Sequence, residues 1–147
     1  FEPIEKGSRG LSIAIIDSYR EESGLSDGVT KVEKPWGYEL LWAVTDRYVG
    51  KIIHVNAGHA LSLQYHERKD ETILVWSGRV ILEVKEDGQL VQREMAPGKS
   101  IHLAPGTVHR ITALEESDLV EVSTPELEDV IRLEDNYGRA DPLRRSK

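Results

Sequence analysis

Cysteine is absent from the 147 residues, which excludes a disulfide framework and any thiolate metal site. A metal held by this chain must therefore rely on imidazole, carboxylate or amide ligands. Methionine and phenylalanine occur once each, so the core must draw on aliphatic side chains. Long apolar runs are also missing. Leu11 to Ile16, interrupted by Ser12, falls far short of the roughly 20 residues that cross a bilayer. The chain does not open on a basic, apolar, small-residue signal pattern, so a soluble, cytoplasmic protein with no membrane partner is expected. Positive charge is in deficit as well. A net charge of −7 argues against a nucleic-acid partner, although Arg139, Arg144, Arg145 and Lys147 make the last stretch locally basic, as expected of a solvated tail.

What remains suits one all-β domain. Short runs of β-branched, aromatic and aliphatic residues alternate with turn residues from Val32 onward, and no long stretch has helical periodicity. Strands are predicted over Tyr38 to Val44, Val49 to Val55, Leu61 to His66, Thr72 to Trp76 and Arg79 to Lys85. Further strands are predicted over Leu90 to Met95, Ser100 to Leu103, His109 to Ala113 and Leu119 to Ser123. Ser77-Gly78 and Asp87-Gly88 suit hairpins that need positive φ, and Pro97-Gly98 and Pro105-Gly106 suit tight turns with a preset first residue. This spacing predicts a jelly roll or related barrel over residues 31–139. Residues 1–30 read as an N-terminal arm and linker, with Leu11, Ile13 and Ile15 alternating like a strand, and residues 140–147 as the basic tail. The arm has two readings: a strand paired to the edge of a partner's barrel, giving a homodimer, or a locally folded strand with no role in assembly.

Gln64 and His66 stand two apart on a predicted strand and so project from one face. Glu71 follows after a short polar connection, and His109 arrives beyond Pro105-Gly106. Two imidazoles, a carboxylate and an amide oxygen suit one first-row divalent ion, with Zn first and Mn, Fe, Ni or Co as the other candidates. His54, His59 and His102 lack companions at ligand spacing and are expected to be packing or surface residues. Trp36, Trp42 and Trp76 are expected to serve the core rather than a sugar face. The acidic run Glu115-Glu116-Ser117-Asp118 reads as a solvated turn.

The order of glycines and prolines around these residues is specific. Gly58, five residues, Gln64-x-His66, four residues, Glu71, six residues and Gly78 resemble the first signature of the cupin superfamily. Gly98, six residues and Pro105-Gly106-x-x-His109 resemble the second. The likeness narrows to the C-terminal cupin domain of type II mannose-6-phosphate isomerases. It is carried by Lys34-Pro35-Trp36-Gly37-Tyr38-Glu39, Lys51, Leu61-Ser62-Leu63-Gln64-x-His66, Glu71, Ser77-Gly78 and Pro105-Gly106-x-x-His109-Arg110. The closing segment Asp129-Val130-Ile131-Arg132-Leu133-Glu134-Asp135-Asn136-Tyr137-Gly138-Arg139 completes it. The resemblance implies an all-β cupin double-stranded β-helix, with metal ligands at Gln64, His66, Glu71 and His109. It also implies that Lys51, Arg132, Tyr137 and Arg139 fall at the characteristic positions around the pocket. Two positions depart from that pattern: Lys69 stands where the family carries Arg, and Thr72 where it carries His.

The function implied is a metal-dependent aldose–ketose isomerase acting on a sugar or sugar phosphate. Such a reaction needs a Lewis acid for the charge that builds on two sugar oxygens and a proton shuttle beside it. Lys51 and Lys69 are the shuttle candidates, since a partly desolvated lysine beside a cation has a depressed pKa. The competing reading for both is a surface charge, most of all for Lys69 in its charged turn. Arg132 and Arg139 suit bidentate binding of phosphate or, equally, salt bridges to Glu134 or Asp135. Because the fold hosts many chemistries, an oxygenase, a lyase and a noncatalytic sugar-binding module are the alternatives.

Overall fold

A computed structural model describes residues 28–140. The arm segment Leu11 to Ile16 and the basic residues Arg144, Arg145 and Lys147 lie outside the described residues. Eleven strands follow one another: β1 (Thr30–Lys34), β2 (Gly37–Val44), β3 (Val49–Val55), β4 (Leu63–Tyr65), β5 (Glu71–Ser77), β6 (Val80–Glu86), β7 (Gln89–Met95), β8 (Ser100–Leu103), β9 (His109–Ala113), β10 (Ser117–Ser123) and β11 (Ile131–Glu134). They form a six-stranded sheet ordered β1-β2-β3-β10-β5-β8 and a five-stranded sheet ordered β11-β4-β9-β6-β7. Every strand pairing is antiparallel. The chain is all-β, as the residue pattern predicts, and among the described residues no helix is long and apolar enough to cross a membrane.

Alternation builds the core. On β5, Glu71, Ile73, Val75 and Ser77 are buried while Thr72, Leu74 and Trp76 are less so, and β6 and β9 repeat the pattern with Val80, Leu82 and Val84 and with His109, Ile111 and Ala113. Ile53, Val55, Ile73, Val75 and Leu119 of the larger sheet meet Leu82, Val84 and Ile111 of the smaller one. The register makes one end of this interior polar. Lys51 pairs with Glu121, which pairs with Ile73; one inward step along, Ile53 pairs with Leu119, which pairs with Val75. Glu71, opposite Ser123, extends the polar end. A single sandwich thus carries an apolar bottom and a charged mouth, and the change occurs within one row of side chains.

Three turn and strand expectations are corrected. Asp87 (φ 49°) and Gly88 (φ 79°) do make the β6–β7 hairpin. Ser77-Gly78, by contrast, joins β5 to β6 across the two sheets and is a corner. Gly78 (φ 85°) is pressed so close that an added Cβ would lie 2.2 Å from Ser117 Oγ and 2.5 Å from the Glu116 carbonyl. Strands β1 and β11, absent from the predicted set, are short and charged, with Lys31, Glu33, Arg132 and Glu134 among their nine residues (5 and 4). The acidic run is no solvated turn: Ser117 and Asp118 are fully buried at the start of β10, where Asp118 bonds to His54 and Ser77. Trp36 is buried in the core, whereas Trp42 is 44% exposed and stands over Gly50 on the outer face.

Candidate metal centre

Gln64 lies on β4 opposite His109 on β9, and His66 follows where the chain leaves the ladder. Glu71 begins β5 in the facing sheet. His66 and His109 are thereby brought onto one carboxylate oxygen: Glu71 Oε1 is 3.1 Å from His66 Nε2 and 3.3 Å from His109 Nε2. All three residues are buried, and one ligand atom from each lies within 4.8 Å of the others. The two rings are 5.5 Å apart and tilted by 52°.

The outer nitrogens decide what this cluster is. His66 Nδ1 donates to the Asp129 carbonyl at 2.5 Å and His109 Nδ1 to the Thr107 carbonyl at 2.9 Å. A carbonyl only accepts, so in each neutral ring the proton sits on Nδ1 and the Nε2 lone pair faces the cluster. In that neutral form, the one a metal ligand takes, two lone pairs and a carboxylate oxygen converge. A divalent cation resolves that convergence, and fixing the ligand tautomer through the far nitrogen is how metal-binding histidines are ordinarily held. The donor set fits an ion of the Zn, Mn or Fe type. Gln64, the expected fourth ligand, lines the same cleft as His66, and its Oε1 accepts a hydrogen bond from Ser62 Oγ at 2.7 Å.

Cations and carboxylates alternate next to this point. Lys69 Nζ is 2.9 Å from Glu71 Oε2 and 3.2 Å from Glu121 Oε2, while Lys51 Nζ is 3.6 Å from Glu121 Oε2 and 3.4 Å from Glu39 Oε2. Lys51 and Lys69 are both buried, so neither is the surface charge that a charged turn suggests. Without a bound cation the Lys69 pKa moves the other way from the depression expected beside one. Burial pulls it down, but Glu121 and Glu71 outweigh burial and raise it, so Lys69 is held as an ammonium. Burial likewise pushes the Glu71 carboxyl up, yet the His109 and His66 rings beside it and the Lys69 charge hold it well below the usual carboxylate range. Glu121 goes the other way, pushed up to about 7 by burial and by the neighbouring Glu71, with Lys69 and Lys51 opposing.

Lys51, Lys69, Gln64, His66, Arg132 and Arg139 line one cleft with Glu121. Arg132 Nε is buried there with no hydrogen-bond partner among the described residues, and its pKa is lowered first by burial and then by Arg139. Arg139 is committed elsewhere: Nε and Nη2 form a two-point pair with Asp135 at 2.9 Å each, the salt bridge anticipated as the alternative to phosphate. Tyr137 does not line the cleft. Its hydroxyl bonds to His59 Nδ1 at 2.7 Å and its ring packs on the core. Thr72, at a position where the family carries His, lies in register with His102 on the outer side of β5. Its neighbour Glu71 faces inward, so the substitution removes no group from this cleft. Glu121 and Glu39 were missed in the residue pattern, although a charge between Leu119 and Ser123 on the inward row of β10 was a signal.

The three remaining histidines are paired within the protein. His54 is buried between Asp118 Oδ1 (2.6 Å) and Glu116 Oε1 (2.8 Å), His59 meets Tyr137, and His102 Nε2 is 2.5 Å from Asp70 Oδ1.

Comparison with known proteins identifies the family and the fold. The family described as mannose-6-phosphate isomerase C-terminal matches residues 21–135. A mannose-1-phosphate guanylyltransferase of Escherichia coli (strain K12) is 35% identical over 118 residues, covering 74% of this chain and 23% of that protein. The chain thus spans about a quarter of the length of that relative. Among solved structures, KdgF from Halomonas sp. superposes with a TM-score of 0.59 at 22% identity, over 68% of this chain and 91% of that one. Oxalate decarboxylase from Bacillus subtilis gives 0.62 at 14% identity, over 73% and 30%. At such identities the likeness is one of fold, and it bears out the cupin jelly roll. Together with the motifs, the match establishes that the chain belongs to the mannose-6-phosphate isomerase C-terminal family of cupin-like domains.

Proposed function

We propose that this domain is a metal-dependent sugar-phosphate isomerase that interconverts an aldose phosphate and its ketose, mannose 6-phosphate and fructose 6-phosphate being the pair the family name suggests. The observation that carries the reading is the convergence of two Nε2 atoms and one carboxylate oxygen beside a cleft lined by unpaired and paired cations. His66, Glu71 and His109, with Gln64 as fourth ligand, would hold the ion. Bound there, a divalent ion supplies Lewis acidity toward the two sugar oxygens and so acidifies the C–H beside the carbonyl.

The chain's own residues account for the rest. Arg132, with its buried and unpartnered Nε, grips the phosphate. The charge count supports an anion: Glu39, Glu71 and Glu121 balance Lys51, Lys69 and Arg132, Asp135 balances Arg139, and Lys34 on the cleft wall adds a positive charge to that of any bound ion. The Lys69 ammonium donates to a developing oxyanion rather than serving as the base. The proton that leaves carbon is taken up within the Lys51–Glu121 pair, 3.6 Å apart, and is returned to the adjacent carbon. Pairing of two copies through an open edge of the larger sheet, β1 or β8, is part of the same reading, and light scattering of the full chain tests it.

Elemental analysis of the purified chain, followed by turnover of mannose 6-phosphate with the metal restored, tests the function. About one metal per chain and loss of at least ~100-fold in turnover for His109→Ala are expected. Metal bound without turnover in the wild type would move the reading to another reaction on the same site, and no metal after reconstitution would end it.

A further inference from the structure

The connection Glu67–Asp70 joins two residues of the metal site, His66 and Glu71, and carries Lys69 between them, yet it belongs to no strand. Its backbone donors are all satisfied from one distant segment. Glu67 N–H donates to Asp129 Oδ1 at 3.0 Å, and Arg68 N–H and Lys69 N–H donate to Asp129 Oδ2 at 2.7 and 2.9 Å. The next donor, Asp70 N–H, goes to Thr124 Oγ1 at 3.0 Å. Asp129 also offers its carbonyl to His66 Nδ1 at 2.5 Å. A single residue thus holds three consecutive amides through its side chain and orients a ligand imidazole through its backbone. A carboxylate that accepts several amide hydrogen bonds is a charge-assisted anchor, stiffer than a neutral one.

We propose that Asp129 is the positioning residue of the metal centre, setting the path of residues 67–69 so that His66 Nε2 and Lys69 Nζ arrive together at Glu71. The inference rests on the metal reading above and adds to it a named residue outside the ligand set. The side chain is what matters. Any residue at 129 has a carbonyl for His66, but only a carboxylate presents two acceptor oxygens to three amides. Asn offers one oxygen and turns an NH2 group against N–H donors, and Ala offers neither.

The test is Co2+ binding by the full chain, read by chelator competition and by the visible absorption of the bound ion. Asp129→Asn is expected to bind Co2+ 10- to 100-fold more weakly, the range typical of residues that orient a metal ligand, and to alter the absorption. Asp129→Ala is expected to go further in the same direction. His54→Gln, in a separate buried cluster, serves as the control for lost stability, and it is expected to melt at a lower temperature while keeping wild-type Co2+ affinity. Wild-type affinity and absorption in Asp129→Asn would overturn the proposal. So would weakening in His54→Gln as large as that in the Asp129 variants. Should Asp129→Ala not fold, the Asn variant decides alone. A wild-type chain that takes up no Co2+ would instead remove the metal reading itself, a different failure with a different signature.

Discussion

Two buried clusters in this domain contain histidine and carboxylate, and they are wired in opposite senses. In the His54 cluster, both ring nitrogens face carboxylates, Asp118 at 2.6 Å and Glu116 at 2.8 Å, while the second oxygen of Asp118 accepts from Ser77 Oγ at 3.1 Å. Donors and acceptors there close among themselves, with Tyr38 stacked 4.7 Å from the imidazole. In the Glu71 cluster, both histidines spend their Nδ1 protons on backbone carbonyls and turn their Nε2 atoms toward the same oxygen. The first cluster closes among its own side chains, whereas in the second Lys69 reaches Oε2 and leaves Oε1 to the two imidazoles. His54, His66 and His109 are all buried, although Glu116 is exposed, and what separates the clusters is the bonding of the outer ring nitrogen: a carboxylate in the first, a backbone carbonyl in the second.

The sharpest way to break this contrast is Glu71→Gln. It removes the charged ligand while supplying an amide N–H that one Nε2 can accept. More than ~100-fold loss of Zn2+ affinity is expected, since even residues that merely orient ligands cost 10- to 100-fold. The metal-free variant should also melt lower than the metal-free wild type, because neutralising Glu71 takes from the buried Lys69 its partner at 2.9 Å. Unchanged Zn2+ affinity would end the assignment of Glu71 as a ligand. Asp118→Asn makes the complementary change. It should lower stability by about 1–3 kcal/mol, the cost of neutralising an acceptor shared by a buried histidine and a hydroxyl. Zn2+ affinity should not move, and denaturant melts with and without the metal measure both quantities.

The difference between the clusters also marks where sequence could be read and where it could not. Alternation in β5, β6 and β9 and the Asp87-Gly88 turn were legible because they are local. The corner at Ser77-Gly78 was not, since a glycine with positive φ serves a hairpin and a change of sheet alike. The charged strands β1 and β11 escaped because a strand with few apolar residues has no period to detect. The convergence of His66, Glu71 and His109, with Gln64 in register with His109, was legible through the spacing of the glycines and prolines around them. Lys69 read as exposed because its neighbours in sequence are charged. Its burial is decided by Glu121, 52 positions on (121 − 69), and by Asp129, 60 positions away. The acidic run at Glu115 misled for the same reason: the partner that buries Asp118 is His54, 64 positions earlier.

The smallest expected effect is a pH dependence that belongs to the His54 cluster. The hydrogen bond from His54 to Asp118 raises the imidazole pKa above its ordinary 6.5; burial opposes it, and the charges of Asp118 and Glu116 add to it. Lys31 on β1 and Tyr38 on β2 are the other groups on that side, with Lys31 Nζ 4.4 Å above the Tyr38 ring. A histidine whose pKa is higher folded than unfolded binds more protons in the native state, so its stabilisation is complete below pH 6.5 and is lost as pH rises through the folded value. Chemical denaturation of the metal-free chain at a series of pH values above 6.5 should therefore show stability falling in the wild type and a flatter profile in Asp118→Asn. Using the metal-free form keeps proton release by metal ligands out of the measurement. Parallel profiles for the two proteins would mean that the His54 charge contributes nothing to folding, and the contrast between a closed ion pair and an open cation site would then rest on geometry alone.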